Sequence, residues 1–177
     1  MQRREFLQNG LLLGLIGLPG IGGLSSSIVK SALPTMTDSE SFGLLLDAVR
    51  LERVDVIKSL VHRGANIKAK GAFCNQSHST LLHYAAAFRT NSNIEVLKCL
   101  VTLGIDIDAT DNSGNTPLHR AVWNGNENVV EVIKFLVSNG AVPDVKNKDG
   151  DTPLDLARKQ NDTAVVEYLS NMVDCQA

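Results

Sequence analysis

Beyond Thr37 the apolar residues of the chain fall into short bursts that alternate with polar stretches on a fixed rhythm. Thr80-Leu81-Leu82-His83, Thr116-Pro117-Leu118-His119 and Thr152-Pro153-Leu154-Asp155 recur at equal intervals of 36 residues. Each opens a short apolar segment, Tyr84-Ala85-Ala86, Arg120-Ala121-Val122 or Leu156-Ala157, and a second burst follows in each of the two preceding units. Glu95 to Val101 runs into Gly104, and Glu131 to Val137 runs into Gly140. Apolar residues spaced three and four apart predict helices, and a glycine just past the last apolar position predicts a left-handed stop. The pattern therefore predicts two short helices per unit. A weaker unit precedes these, with Leu44 to Val49 and Val54 to Val61 as its bursts and Gly64-Ala65 as its stop, but without the threonine-led tetrad.

A fixed period of this length marks a stack of repeats in which each unit buries its apolar face on its neighbours. The tetrad and the paired helices resemble the ankyrin repeat, and the resemblance covers about residues 38–173. It implies an all-α solenoid of four helix-turn-helix repeats, 38–70, 71–110, 111–146 and 147–173, joined by short β-hairpin-like turns, with residues 174–177 as a tail. The first and last units depart from the pattern, as terminal units with one face lacking a neighbour do. Repeats two and three are longer than the family's usual unit, and the extra residues fall between their helices, in 88–93 and 124–128. The connection at 71–79 is longer still.

Residues 1–31 have a different character. Arg3 and Arg4 form a positive start, and no charge follows from Phe6 to Val29. A charged start ahead of an apolar stretch is the layout of an export signal. Six glycines and Pro19 interrupt the apolar run, which favours a cleaved signal over a membrane span. Arg3-Arg4-Glu5-Phe6-Leu7 resembles the twin-arginine motif, with Arg3, Arg4, Phe6 and Leu7 as its matching residues. The resemblance implies a bacterial protein exported in a folded state to the periplasm or beyond. A general secretory signal and an uncleaved anchor remain as alternatives. Residues 32–37 are read as a linker.

Composition narrows the function. A formal charge of -2, a pI near 6.1 and 5% aromatic residues give neither a basic footprint nor stacking platforms for nucleic acid. Without residues 1–31 the chain holds 14 basic and 18 acidic side chains, which weakly favours a partner with a neutral or basic patch. Three cysteines, Cys74, Cys99 and Cys175, form no disulfide framework. Cys99 falls on an apolar stripe and reads as a buried hydrophobe. His83 and His119 sit one repeat apart at the fourth tetrad position, where the family's histidine ties neighbouring turns together. His62 and the pair Cys74 and His78 have no further ligands nearby. No nucleophile, base and orienting group converge, so no enzyme, cofactor or metal is expected.

Binding is what remains. The family's contact positions carry over to Ala87 and Phe88, Trp123 and Asn124, Lys159 and Gln160, with Arg50 and Leu51 as the matching pair in repeat one. The turn tips add Gln76, Ser77, Ser79, Asn112, Ser113, Asn115, Lys148, Asp149 and Asp151. Phe73, Tyr84 and Arg120 complete the candidate surface. Trp123, the sole tryptophan, is either a binding anchor or a cover for the extra loop that follows it. The expectation is an exported, monomeric module that grips an unidentified protein partner and meets the membrane only during export. The rival is an envelope assembly factor held at the membrane by its N-terminal segment.

Overall fold

The computed structural model describes residues 37–72, 78–87, 93–125 and 128–174. Among these, eight helices run in order: α1 (Asp38–Arg50), α2 (Val54–His62), α3 (Leu81–Ala87), α4 (Asn93–Thr102), α5 (Pro117–Asn124), α6 (Val129–Ser138), α7 (Pro153–Lys159) and α8 (Thr163–Asp174). Two-residue strands β1 (Gly71–Ala72) and β2 (His78–Ser79) lie ahead of α3 and pair antiparallel, Gly71 opposite Ser79 and Ala72 opposite His78. The fold is the all-α repeat solenoid implied by the spacing.

The odd-numbered helices form one layer, in which α1, α3, α5 and α7 each pack on the next. The even-numbered helices lie behind them, each packed on its own partner. Small buried residues, Ala85, Ala86, Ala121 and Ala157, stand at the inner contacts and let those backbones approach closely. Leucine, isoleucine and valine fill the space to the outer layer: Leu82, Leu97, Leu118, Ile133, Leu136 and Leu169 are all fully buried. Apolar area removed from water in this way is the main stabilising contribution.

Local chemistry sets the ends of the helices. Thr116 and Thr152 cap α5 and α7, and the proline after each occupies the first helical turn, where its missing N–H costs nothing. At the outer-helix stops Gly64, Gly104 and Gly140 take φ of 98°, 82° and 99°. The residue after each donates to a carbonyl one turn back: Ala65 to Leu60 at 3.0 Å, Ile105 to Leu100 at 3.3 Å, Ala141 to Leu136 at 3.0 Å. A Cβ would be strained at that φ, so glycine closes all three helices.

The connections within repeats differ in length. Repeats one and four cross from inner to outer helix in three residues, 51–53 and 160–162, whereas repeats two and three use 88–92 and 125–128. The longer crossings coincide with the extra residues found by spacing. Repeat one also differs at its start. Thr37 caps α1 through a reciprocal bond with Glu40, and α1 runs for 13 residues, longer than any other inner helix.

Candidate functional site

The surface built from the turns and the inner-helix ends starts with the histidines. In repeat two the backbone N–H of Thr80 donates to His83 Nδ1 at 3.2 Å, so Nε2 carries the proton and donates to the Asn115 carbonyl at 2.9 Å. In repeat three Thr116 donates to His119 Nδ1 at 3.2 Å, and His119 Nε2 reaches the Asp151 carbonyl at 3.1 Å. Each buried imidazole thus ties its own helix start to the turn of the next repeat. Burial pushes both rings below the ordinary 6.5, even though the Asn115 carbonyl and Asp111 favour the charged form of His83 and the Asp151 carbonyl and Asp111 that of His119. Both stay neutral at pH 7.

Among the described residues no turn follows the helices of repeat four. Asp155 takes the histidine's place, and its carboxylate accepts from the Thr152 N–H at 3.0 Å and the Thr152 hydroxyl at 2.7 Å. Those bonds hold its carboxyl below the usual range.

The turns themselves are built on Asp111 and Asn147. Asp111 Oδ1 accepts from the N–H groups of Ser113 and Asn115 at 2.8 and 2.9 Å, and Asn147 Oδ1 accepts from those of Asp149 and Asp151 at 3.0 Å each. Asn147 Nδ2 then donates to Asn115 Oδ1 at 3.0 Å, and Lys148 N donates to the Ser113 carbonyl at 3.0 Å, which locks one turn to the next. Asp111 is buried and paired with Arg120, whose Nε donates at 2.9 Å. Burial alone would raise the Asp111 pKa, but Arg120 and the two N–H groups outweigh it and hold the carboxyl below its ordinary value.

These bonds divide the candidate residues. Asn115 and Arg120 are engaged within the turns, and the Tyr84 ring meets Phe42 edge-on at 6.0 Å between centroids. Asn112, Ser113, Lys148 and Asp149 stand exposed at the turn tips. Asn124 is exposed but donates to the Ala87 carbonyl at 3.0 Å, and Lys159 pairs with Asp151. Phe73 and Phe88, like Gln76 and Ser77 and like Arg3, Arg4, Phe6 and Leu7, lie outside the described residues. Cys99 is buried among the core residues, and burial raises its thiol pKa.

Trp123 is different in kind. Its side chain is 61% exposed, although it sits near the end of α5 with buried Ala121 and Val122 before it. Gln160 Nε2 donates to its carbonyl at 3.1 Å, and Gly125 ends the helix two residues later at φ 45°. The backbone of Trp123 is fixed while its ring faces water. Leu51, 71% exposed, follows the corresponding end of α1. Sequence reasoning missed Gln160 as the residue that holds Trp123 and Asp111 as the centre of a turn. The amide at the same register in two repeats, Asn124 and Gln160, was the available signal for the first.

A family model for ankyrin repeats in three copies matches residues 45–146, more than half of the chain, and a model for many copies matches residues 127–169. The chain belongs to the ankyrin-repeat family. Ankyrin repeats generally mediate binding to protein partners and are typically not enzymes. No curated protein matches the chain. The histidine bridges and locked turns are thus the scaffold of an ankyrin stack.

Proposed function

We propose that this ankyrin protein is an exported interaction module that binds one partner protein on the face formed by the turn tips and inner-helix ends. The observation that carries the reading is Trp123, a large ring left in water on a backbone fixed from the next repeat. Exposing an aromatic ring is unfavourable for the monomer, and tryptophan is the residue type most enriched among binding hot spots. Export to the periplasm or beyond rests on the Arg3-Arg4-Glu5-Phe6-Leu7 motif, with the domain acting as a monomer that sequesters, inhibits or scaffolds its partner.

Site-specific photo-cross-linking tests the binding face. A photo-reactive side chain at position 123 is expected to capture one partner, and the same group at Glu131 on the outer helix α6 is expected to capture none. Capture only from position 131 would overturn the assignment. Export is tested separately by replacing Arg3 and Arg4 with lysine, which lacks the planar guanidinium fork. Precursor should then accumulate in the cytosol, and unchanged export would exclude the twin-arginine route.

A further inference from the structure

Trp123 stands in the last turn of an eight-residue helix. The final carbonyls of a helix have no N–H a turn ahead to meet them, so that turn is the first to fray, and fraying would swing the Trp123 side chain with the backbone. Gly125 closes α5 in a left-handed conformation and donates its N–H to the Val122 carbonyl at 3.2 Å. The Trp123 carbonyl is met from the next repeat, by Gln160 Nε2 at 3.1 Å. The other end of that carboxamide lies along the same helix stop, since a Cβ on Gly125 would come 4.0 Å from Gln160 Oε1.

Gln160 reaches the carbonyl because of where α7 holds it. It caps the end of α7 with its own N–H bonded to the Leu156 carbonyl at 3.0 Å, and α7 packs on α5 with Leu156 and Ala157 buried. Asn161 then turns the chain at φ 58°, a left-handed conformation that asparagine tolerates better than most residues. The far side of the same peptide group is tied as well. Asn124, whose N–H shares a peptide with the Trp123 carbonyl, donates Nδ2 to the Ala87 carbonyl at 3.0 Å. The peptide that carries the ring is therefore held from repeat four and bonded onward to repeat two.

We infer that Gln160 is the positioning residue of the binding anchor, an inference that rests on Trp123 being that anchor. Gln160 fixes the direction in which repeat three presents the Trp123 ring, and so makes the anchor depend on the docking of α7. Undocking one helix costs less than unfolding the domain, so repeat four can loosen the anchor while the core stays folded. A ring already held in its bound direction spares the ordering cost of binding, and a loosened one does not.

The chain carries its own probe, because Trp123 is its only tryptophan. Its time-resolved emission anisotropy is measured on the full chain, well below the melting midpoint, with Gln160→Met and with Gln160→Glu. Neither side chain donates at neutral pH, and glutamate keeps the shape of glutamine. Both variants are expected to enlarge the fast component of the decay. Lys159→Met, at the neighbouring exposed position, should leave it unchanged, as should Leu97→Ala, which removes a fully buried side chain on α4 and lowers the midpoint further. Leu156→Ala, which loosens α7 with Gln160 in place, should mobilise the ring, and joining it to Gln160→Met should add little. With a photo-reactive side chain at position 123, Gln160→Met should reduce capture of the partner about fivefold, the loss of one modest hydrogen bond. An unchanged decay in both Gln160 variants would overturn the inference, and so would a mobile ring with undiminished capture; in either case capture from position 123 leaves the binding face standing. A ring mobilised by Gln160→Met in a chain that captures nothing from position 123, even with Gln160 present, would remove the anchor itself and the inference with it.

Discussion

From repeat two to repeat four, each junction is bridged by an imidazole that spans from a helix start to the neighbouring turn, whereas among the described residues the junction between repeats one and two shows no such bridge. Aligning the buried pair Ala48 and Val49 with Ala85 and Ala86 puts Gly43 where Thr80 stands and Leu46 where His83 stands. Helix α1 therefore continues through the place where the other inner helices begin. Phe42 fills the gap, with its ring edge-on to Tyr84 and its face against Gly71. A Cβ at Gly71 would lie 2.1 Å from two carbons of that ring, so only glycine lets the ring and the β1 backbone share the space. The same stacking problem has two solutions: a directional polar bridge from repeats two and three to the repeat that follows each, and an apolar plug between repeats one and two.

The largest test of the comparison lies in the bridged half. Leu118 is fully buried on α5 between neighbouring inner helices, and Leu118→Ala is expected to cost about 2–5 kcal/mol by chemical denaturation. A change well under 1 kcal/mol would mean the repeats do not pack in this register.

Gly71→Ala probes the plugged half and should cost about 1–3 kcal/mol through overpacking against Phe42. The double variant Gly71→Ala, Phe42→Leu should regain part of that loss. If the single substitution is silent, the ring does not occupy the place assigned to it.

A smaller effect separates the halves by pH. Both bridging rings titrate below 6.5 when folded, so the unfolded chain binds more protons in the window from about pH 6.5 down to the folded values. Stability from the bridges is complete above that window and is lost as pH falls through it, because a proton on Nδ1 opposes the threonine N–H. Urea midpoints at pH 7.5 and 5.5 should differ for the natural chain and differ less for the His83→Gln, His119→Gln double variant. Equal pH dependence in both would place the lost stability elsewhere.

What could be read from the residues follows the same division. The 36-residue interval and the glycine stops are local or periodic, and each depends on a residue type with few alternatives, while the bridging role of His83 and His119 came with the family resemblance. Repeat one was read only in its apolar bursts, although the Thr37 and Glu40 capping box, which starts α1 ahead of the tetrad position, was an available signal. The bond from Gln160 to Trp123 and the pair of Arg120 with Asp111 were not legible. Those partners lie 37 and 9 residues apart, at positions where polar side chains also suit open solvent. Trp123 stood between two readings, because both uses of a tryptophan leave the same letter in the chain.

Trp123→Ala tests the central claim most directly, with thermal midpoint and partner affinity measured on the same preparation. An exposed ring on a fixed backbone predicts a stability change within about 0.5 kcal/mol and a loss of binding of more than about 2 kcal/mol. A variant that melts early and still binds its partner at full strength would show that Trp123 serves the fold and that the binding surface lies elsewhere.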